Sequence, residues 1–392
     1  MDSSKLNPLR KNGKDCLLCV NRKKLIIATP EEKVRQKFVT ELIDRYGYPE
    51  EMIRVEFPLS AFDKSLKGRV DILVLGKNKV DDNYHSLLLV ECKEPNVPLT
   101  ESVFEQALSY DDVLAPKVTV VTNGNETVAL QWDDKENEYV EINLIPSYAD
   151  LIELDYFNPK EVVNLNWVRP NHLEPESKAF KSVLDNFGED SRTELHSFFA
   201  NLIGLFYEEK EEISSLNVGT VTFNKDCLIR FTTFGNASGG GFTGEYRSVL
   251  VTDDAGDSQI VSMSLMGRIK TTNHPKYGNS KGHTLLLVAV DDFDKSHLSL
   301  ELALDRYIKI EGGMFSIWHD GTLTVGKKGR VKNQSVIDFI QHEKPSLIRD
   351  NKVFLGSLDN SKSFTWSSQE VNEFISNVID YALLRDRFRR TQ

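Results

Sequence analysis

Between residues 29 and 49, apolar positions recur three and four apart at Val34, Phe38, Val39, Leu42 and Ile43, the spacing of one helix face. Thr29 stands where an N-cap belongs, Pro30 at the first helical position, and Glu31 and Glu32 in the first turn; these are helix-start signals. Gly47 and Pro49 mark the stop. The pattern then changes. IRVEFPLS, RVDILVLG and LLLVECK are short runs rich in Val, Ile and Leu, separated by polar turns, and read as three strands. LTESVFEQALSYDDVLA returns to helical spacing behind Thr100, and KVTVVTNG and ETVALQWD are two more strands around an Asn-Gly turn. Helix, three strands, helix, two strands predicts an α/β unit with a central mixed sheet flanked by helices.

Beyond about residue 155 the texture shifts. NPKEVVNLNWVRPNHLEP, rich in proline and asparagine, reads as a linker over 156–175, which leaves a first domain over 1–155 and a second over 176–392. SRTELHSFFANLIGLFYEEKEEI predicts one long helix. GTVTF, CLIRFTTF, YRSVLV, QIVSMSL, HTLLLVAV, HLSLELAL, MFSIWHD and TLTVG follow as β-like segments between Gly- and Asp/Asn-rich turns, and SSQEVNEFISNVIDYALLRDRF closes as an amphipathic helix. The second domain is therefore predicted as α+β and β-rich, with a role in target recognition or assembly.

Composition narrows the class. With 392 residues the chain exceeds one ordinary core, and 40% hydrophobic with 27% charged residues is a globular balance. No apolar run reaches membrane-spanning length, and the polar opening MDSSKLNPLRKNGKD has no signal-like core. Four cysteines in a chain this long argue against a disulfide scaffold and fit a reducing cytoplasm. Cys16 and Cys19 form a lone CxxC without the second pair a structural zinc needs. The net charge of −11 does not advertise a nucleic-acid binder, yet local basic clusters stand at 22–24, at Lys327, Lys328, Arg330 and Lys332, and at Arg385, Arg387, Arg389 and Arg390. Each by itself reads as a solvated face.

The chemistry concentrates in LLLVECKEP. Leu87 to Val90 look like a strand buried on both faces, yet the run goes straight into Glu91 and Lys93, which alternation puts on one side. Asp71 lies inside the equally apolar GRVDILVLG. Two carboxylates in apolar strands cost several kcal/mol unless a cation meets them, and Mg²⁺, a hard ion commonly held by one or two carboxylates and waters, suits them. The main-chain carbonyl of Cys92 adds a further oxygen. Lys93 beside such an ion would orient a water or neutralise charge on a phosphate oxygen. The plain alternative is a Glu-x-Lys pair on a strand surface.

Asp71, Glu91 and Lys93 in this order resemble the PD-(D/E)xK nuclease superfamily. More narrowly, ATPEEKVRQKFV, RVDILV, LLLVECKEPNVPL, EQALSYDDVL and VTNG resemble the N-terminal nuclease domain of type I restriction enzyme R subunits. The resemblance implies a restriction-endonuclease-like α/β fold, metal ligation by Asp71 and Glu91 with Mg²⁺ or Mn²⁺, and Lys93 as the catalytic lysine. It also implies a glutamate on the first helix. Glu31 and Glu32 both qualify, and Glu31 is preferred because it shares a face with Val34 and Phe38. Gln106 and Tyr110 match the family's Gln-xxx-Tyr element; four apart, they share a helix face. Arg35 reads as an exposed helix arginine, with a phosphate contact as the alternative.

No Gly-x-x-x-x-Gly-Lys-Ser/Thr loop occurs, so no ATP motor is expected in this chain. The resulting expectation is a Mg²⁺-dependent DNA endonuclease of restriction or anti-phage defence type, acting on DNA as a homodimer or with a defence-complex partner. The alternative is a DNA-binding or scaffold subunit whose nuclease centre is idle or partner-activated. GNASGGGFTGEYRS reads as a flexible hairpin loop or a phosphate cradle. Asp291, Asp292, Asp294 and His297 read as an acidic turn or a metal set, and Trp318-His319-Asp320 as a further polar site.

Overall fold

The structure is a computed structural model. It describes all residues except 1–8, 63, 153–155, 157–166, 238, 276–277, 292 and 294–295, and the side chains of 111, 112 and 327. The chain divides into two compact units, residues 1–9 with 14–166, and residues 10–13 with 167–392. Of the expected linker, 157–166 lies outside the described residues, and the part from Trp167 onward belongs to the second unit, where His172 bonds the Asn360 carbonyl at 2.9 Å.

In the first unit, α1 (Pro30–Asp44) starts on Thr29, whose hydroxyl accepts the Glu32 amide at 3.1 Å. A six-stranded mixed sheet follows in chain order: β1 (Ile53–Pro58), β2 (Arg69–Lys77), β3 (Tyr84–Cys92), β4 (Val118–Thr122), β5 (Thr127–Asp133) and β6 (Glu138–Ile142). Only β3 and β4 run parallel. A parallel neighbour needs a crossover, and α2 (Glu101–Leu114) supplies it. The strand β6 was not among the expected elements.

Alternation splits the sheet's two faces. Ile72, Val74, Leu88 and Val90 meet Val34, Phe38, Val39 and Leu42 of α1, while Leu73, Leu75, Leu89 and Val121 meet Val103, Ala107 and Leu114 of α2. Each such side chain contributes about 1.5–3 kcal/mol by leaving water. The Asn-Gly turn after β4 brings Gly124, at φ +83°, so close to α1 that a Cβ there would lie 3.0 Å from Val34 Cγ2. Both thiols of the CxxC are buried; Cys19 Sγ accepts from Arg22 Nε and Gln36 Nε2 at 3.4 Å each.

In the second unit, α3 (His196–Phe206) precedes a closed barrel of β7 (Val221–Gly235), β8 (Gly241–Asp253), β9 (Ser258–Gly267), β10 (Thr284–Val290) and β11 (His297–Ala303). A four-stranded sheet contains β12 (Ile308–Glu311), β13 (Met314–His319), β16 (Ile348–Arg349) and β17 (Lys352–Asp359), in the order β12-β13-β17-β16. Between its strands come the short hairpin β14 (Thr324–Val325) and β15 (Gly329–Arg330) and the helix α4 (Asn333–Glu343); α5 (Gln369–Arg390) closes the chain. Phe198, Phe199 and Leu202 of α3, Val261 and Val288 of the barrel, Ile317 and Leu355 of the sheet and Phe374 and Val378 of α5 share one core.

The expected long helix over 191–213 is a correction: it stops at Phe206. The buried Arg247 guanidinium takes the carbonyls of Glu208 at 2.8 Å and Glu211 at 2.9 Å and pairs with Asp226, so those carbonyls leave the helical ladder. GTVTF and CLIRFTTF join into one strand, β7, rather than two.

Candidate active site

The register of β2 on β3 places Ile72 against Val90, and the next step of an antiparallel ladder sets Asp71 against Glu91. Both are buried, Asp71 at 8% and Glu91 at 3% exposure. Asp71 Oδ2 accepts the Cys92 amide at 2.6 Å, which ties the aspartate to the end of the neighbouring strand. Lys93 Nζ lies 2.7 Å from Glu91 Oε1 and 2.9 Å from Gln106 Oε1, and Gln106 Nε2 lies 3.4 Å from the Tyr110 hydroxyl. Asp71, Glu91, Lys93, Gln106 and Tyr110 thus form one connected group at the strand ends, the last two brought by the crossover helix.

Helix α1 supplies the other side. Arg35, expected on the surface, is instead 4% exposed and central. Its guanidinium reaches Asp71 Oδ1 at 2.6 Å, Glu31 Oε1 at 2.8 Å, Glu56 Oε1 at 2.9 Å and also Glu32 Oε2. Its Nε is buried with no hydrogen-bond partner among the described residues. The physical reason is charge: one helix turn places Glu31 and Glu32 on the guanidinium, and Asp71 needs a cation where water is excluded. The two candidate glutamates differ. The Glu32 side chain is largely buried and bonds Gln36 Nε2 at 2.8 Å, whereas that of Glu31 is 44% exposed. Glu31 is the one whose charge acts on Asp71, Glu91 and Lys93.

Glu56 was not singled out in the sequence. It sits opposite Asp71 in a gap of the β1–β2 register, between the pairs Val55↔Ile72 and Phe57↔Val70, with a left-handed φ of 53°. A non-glycine residue rarely adopts this conformation, and it costs about 1–3 kcal/mol; here it accompanies a side chain aimed at Arg35. IRVEFP gives no sign of this, because it alternates like any strand.

Five carboxylates (Glu31, Glu32, Glu56, Asp71 and Glu91) thus face three cations, Arg35, Lys93 and the exposed Arg69 on Glu56. The imbalance appears in the titrations. Burial first, then the Asp71 charge, push Glu91 up to about 7. Burial also raises Asp71, against the pull of Arg35 and the Cys92 amide. Burial pulls the Lys93 ammonium down, but the hydrogen bond and charge of Glu91 outweigh it, and the net shift is upward. Lys93 therefore stays protonated at neutral pH. The Cys92 thiol is raised by burial and is inert.

Oxygen donors in excess of cations are the chemistry of a site for a hard metal ion. One oxygen of Glu91, Oε2, accepts no hydrogen bond among the described residues. Among those residues no three His, Cys, Asp or Glu side chains converge as a ready cage. An ion here would rest on Asp71 and Glu91 with main-chain oxygen and water completing its shell, a donor set that fits Mg²⁺ or Mn²⁺.

The other sequence candidates take structural places. In the glycine-rich loop, Asn236 closes on itself through Gly240: its amide reaches the Gly240 carbonyl at 2.8 Å, and its Oδ1 accepts the Gly240 amide at 2.9 Å. Asp291 pairs with Arg230 and His297 with Asp386, so these two are held apart by separate partners; Asp292 and Asp294 lie outside the described residues. His319 is buried, with Nδ1 2.6 Å from the Tyr381 hydroxyl, and burial pulls it down to about 3.

No helix of the described residues is long and apolar enough to cross a membrane. The comparisons with curated proteins and with solved structures return no match. A family does match, described as type I restriction enzyme R protein N terminus, over residues 30–146, the span that runs from the first residue of α1 past β6 and encloses every residue of the group around Asp71. That match agrees with the resemblance that ATPEEKVRQKFV, RVDILV, LLLVECKEPNVPL and EQALSYDDVL carry to the N-terminal domain of type I restriction enzyme R subunits.

Proposed function

We propose that the first unit is a Mg²⁺-dependent PD-(D/E)xK nuclease domain that hydrolyses phosphodiester bonds of DNA, in restriction or anti-phage defence. The observation that carries this reading is the buried Asp71–Glu91 pair with its surplus of negative charge and Lys93 held beside it. Bound metal would supply Lewis acidity and a lowered pKa for water. The protein's own residues do the rest. Asp71 and Glu91 offer oxygens from two strands whose spacing is fixed by the sheet. Lys93, protonated and braced by Glu91 and Gln106, places a positive charge where negative charge grows on the phosphate as water adds across a phosphorus–oxygen bond. Gln106, itself bonded to Tyr110, sets the direction of that amine.

The test is incubation of the purified protein with plasmid and phage DNA, with Mg²⁺ or with EDTA, beside Lys93→Ala. Removal of this single electrostatic group is expected to slow cleavage about 10²–10³-fold. Equal cutting by the variant, or cutting in EDTA, would refute the assignment. A second reading draws on Asp71 having both oxygens engaged, by Arg35 and by the Cys92 amide. In that reading the centre stays closed until a complex partner or DNA loosens Arg35, and the lone protein binds DNA without cutting it.

A further inference from the structure

The second unit collects basic residues that are scattered in sequence around the short segment Thr322–Thr324. Arg330 Nη2 lies 3.2 Å from the Thr322 hydroxyl and 3.2 Å from Asn333 Oδ1. Arg385 Nη1 donates to the Thr322 carbonyl at 2.8 Å, and Arg389 Nε to the Thr324 carbonyl at 3.4 Å. Two clusters more than fifty residues apart in the chain, in the β14–β15 hairpin and in the last turns of α5, therefore meet over Thr322–Thr324. Lys328 and Lys332 are exposed on the same hairpin and at the start of α4.

Several features make this patch unlike an ordinary solvated face. None of Lys328, Arg330, Lys332, Arg385 and Arg389 forms an ion pair with a described residue. Their partners are neutral: carbonyls, hydroxyls and an amide oxygen. Asp320, the carboxylate that precedes the segment, is already engaged by Arg306 and by Thr322. No acidic residue occurs between Gly321 and Ile337, in a chain that carries net charge −11. Burial and then the neighbouring Arg385 pull the Arg389 guanidinium down to about 10, more than the nearby Asp386 and Glu301 carboxylates raise it. The amide end of α4 opens onto the hairpin with Lys332 as N-cap and no side chain capping it, so its dipole adds to the same field.

A row of cations whose hydrogen-bond partners are neutral, in a chain of net charge −11, is the electrostatic footprint of a polyanion site. We propose that the surface formed by Lys328, Arg330, Lys332 and Arg389 is a binding site for the phosphate backbone of duplex DNA, with Arg385 buried beneath it as added field. The proposal rests on the reading of the first unit as a DNA-cutting domain and gives the second unit its share of the substrate. Contacts of this kind position a duplex without reading its sequence.

The experiment measures binding of the full chain to a fluorescent duplex by anisotropy, in EDTA so that nothing is cut, across a range of salt. The proteins compared are wild type, the triple variant Lys328→Ala/Arg330→Ala/Lys332→Ala and the charge reversal Lys328→Glu/Lys332→Glu. Loss of three phosphate contacts is expected to weaken binding at least about tenfold and to flatten log K against log salt by about 2–3. The charge reversal should weaken binding further. Circular dichroism should be unchanged, because the three substituted side chains are exposed. Wild-type affinity and slope in both patch variants would overturn the proposal. So would binding to anionic phospholipid vesicles with none to DNA. Failure here leaves Lys93-dependent cutting untouched, and loss of that cutting assignment leaves the salt slopes untouched, so the two are judged separately.

Discussion

The Asp71–Glu91 pair carries a penalty that can be measured without any substrate. Glu91 titrates near 7 in the folded domain against 4.5 for an ordinary glutamate. Below pH 4.5 it is protonated in both folded and unfolded chains and makes no difference. Between 4.5 and 7 the unfolded chain ionises while the folded one holds its proton, so stability falls as pH rises; above 7 the loss is complete. That difference between folded and unfolded chains corresponds to about 3 kcal/mol. Glu91→Gln keeps the shape and an acceptor for Lys93 but removes the ionisable group. The variant should match wild type at pH 4.5 and exceed it by up to about 3 kcal/mol at pH 8. Mg²⁺ at pH 8 should stabilise wild type and leave the variant unmoved. Urea unfolding with pulsed hydrogen exchange, read on peptides from β2 and β3, isolates this sheet from the second unit. A variant that is no more stable than wild type at pH 8, or that shows the same fall between pH 5 and 8, would refute the reasoning.

Other outcomes follow from the same geometry. Arg35→Met strands Asp71 and Glu32 without their cation and should cost the first unit about 3–5 kcal/mol, seen in the same exchange experiment. Gly124→Ala forces a Cβ against Val34 at φ +83° and should cost about 1–3 kcal/mol, read as a lower urea midpoint for the first unit alone. Arg247→Met removes the partner of Asp226 and of two carbonyls in the second unit; it should cost about 3–5 kcal/mol, with peptides from β7 and β8 losing protection first.

The sequence showed local features well and long-range ones poorly. The cap at Thr29, the strands around Asp71 and Glu91, and the crossover helix with Gln106 and Tyr110 were all legible, because each is written in spacing and turn chemistry over a few residues. Arg35 was not. Glu31, Glu32 and Arg35 on one helix look like a surface ladder of charges, and only the arrival of Asp71 from a strand thirty-six residues away shows that the ladder faces inward. Glu56 was hidden for a similar reason, since its left-handed backbone belongs to a register gap that an alternating strand does not announce. The end of α3 was misjudged because the arginine that captures its carbonyls lies some forty residues downstream.

The single parallel pair in the first sheet has a further effect. Because β3 and β4 point the same way, the chain must climb back over the sheet between them, and the residues that brace Lys93 ride on that return path. The amine and its brace are thus neighbours in space only once the path has closed, so a nick in the loop at 94–100 would part them while every strand kept its hydrogen bonds. Such a clipped protein would still look folded by its sheet, yet its lysine would swing without a guide.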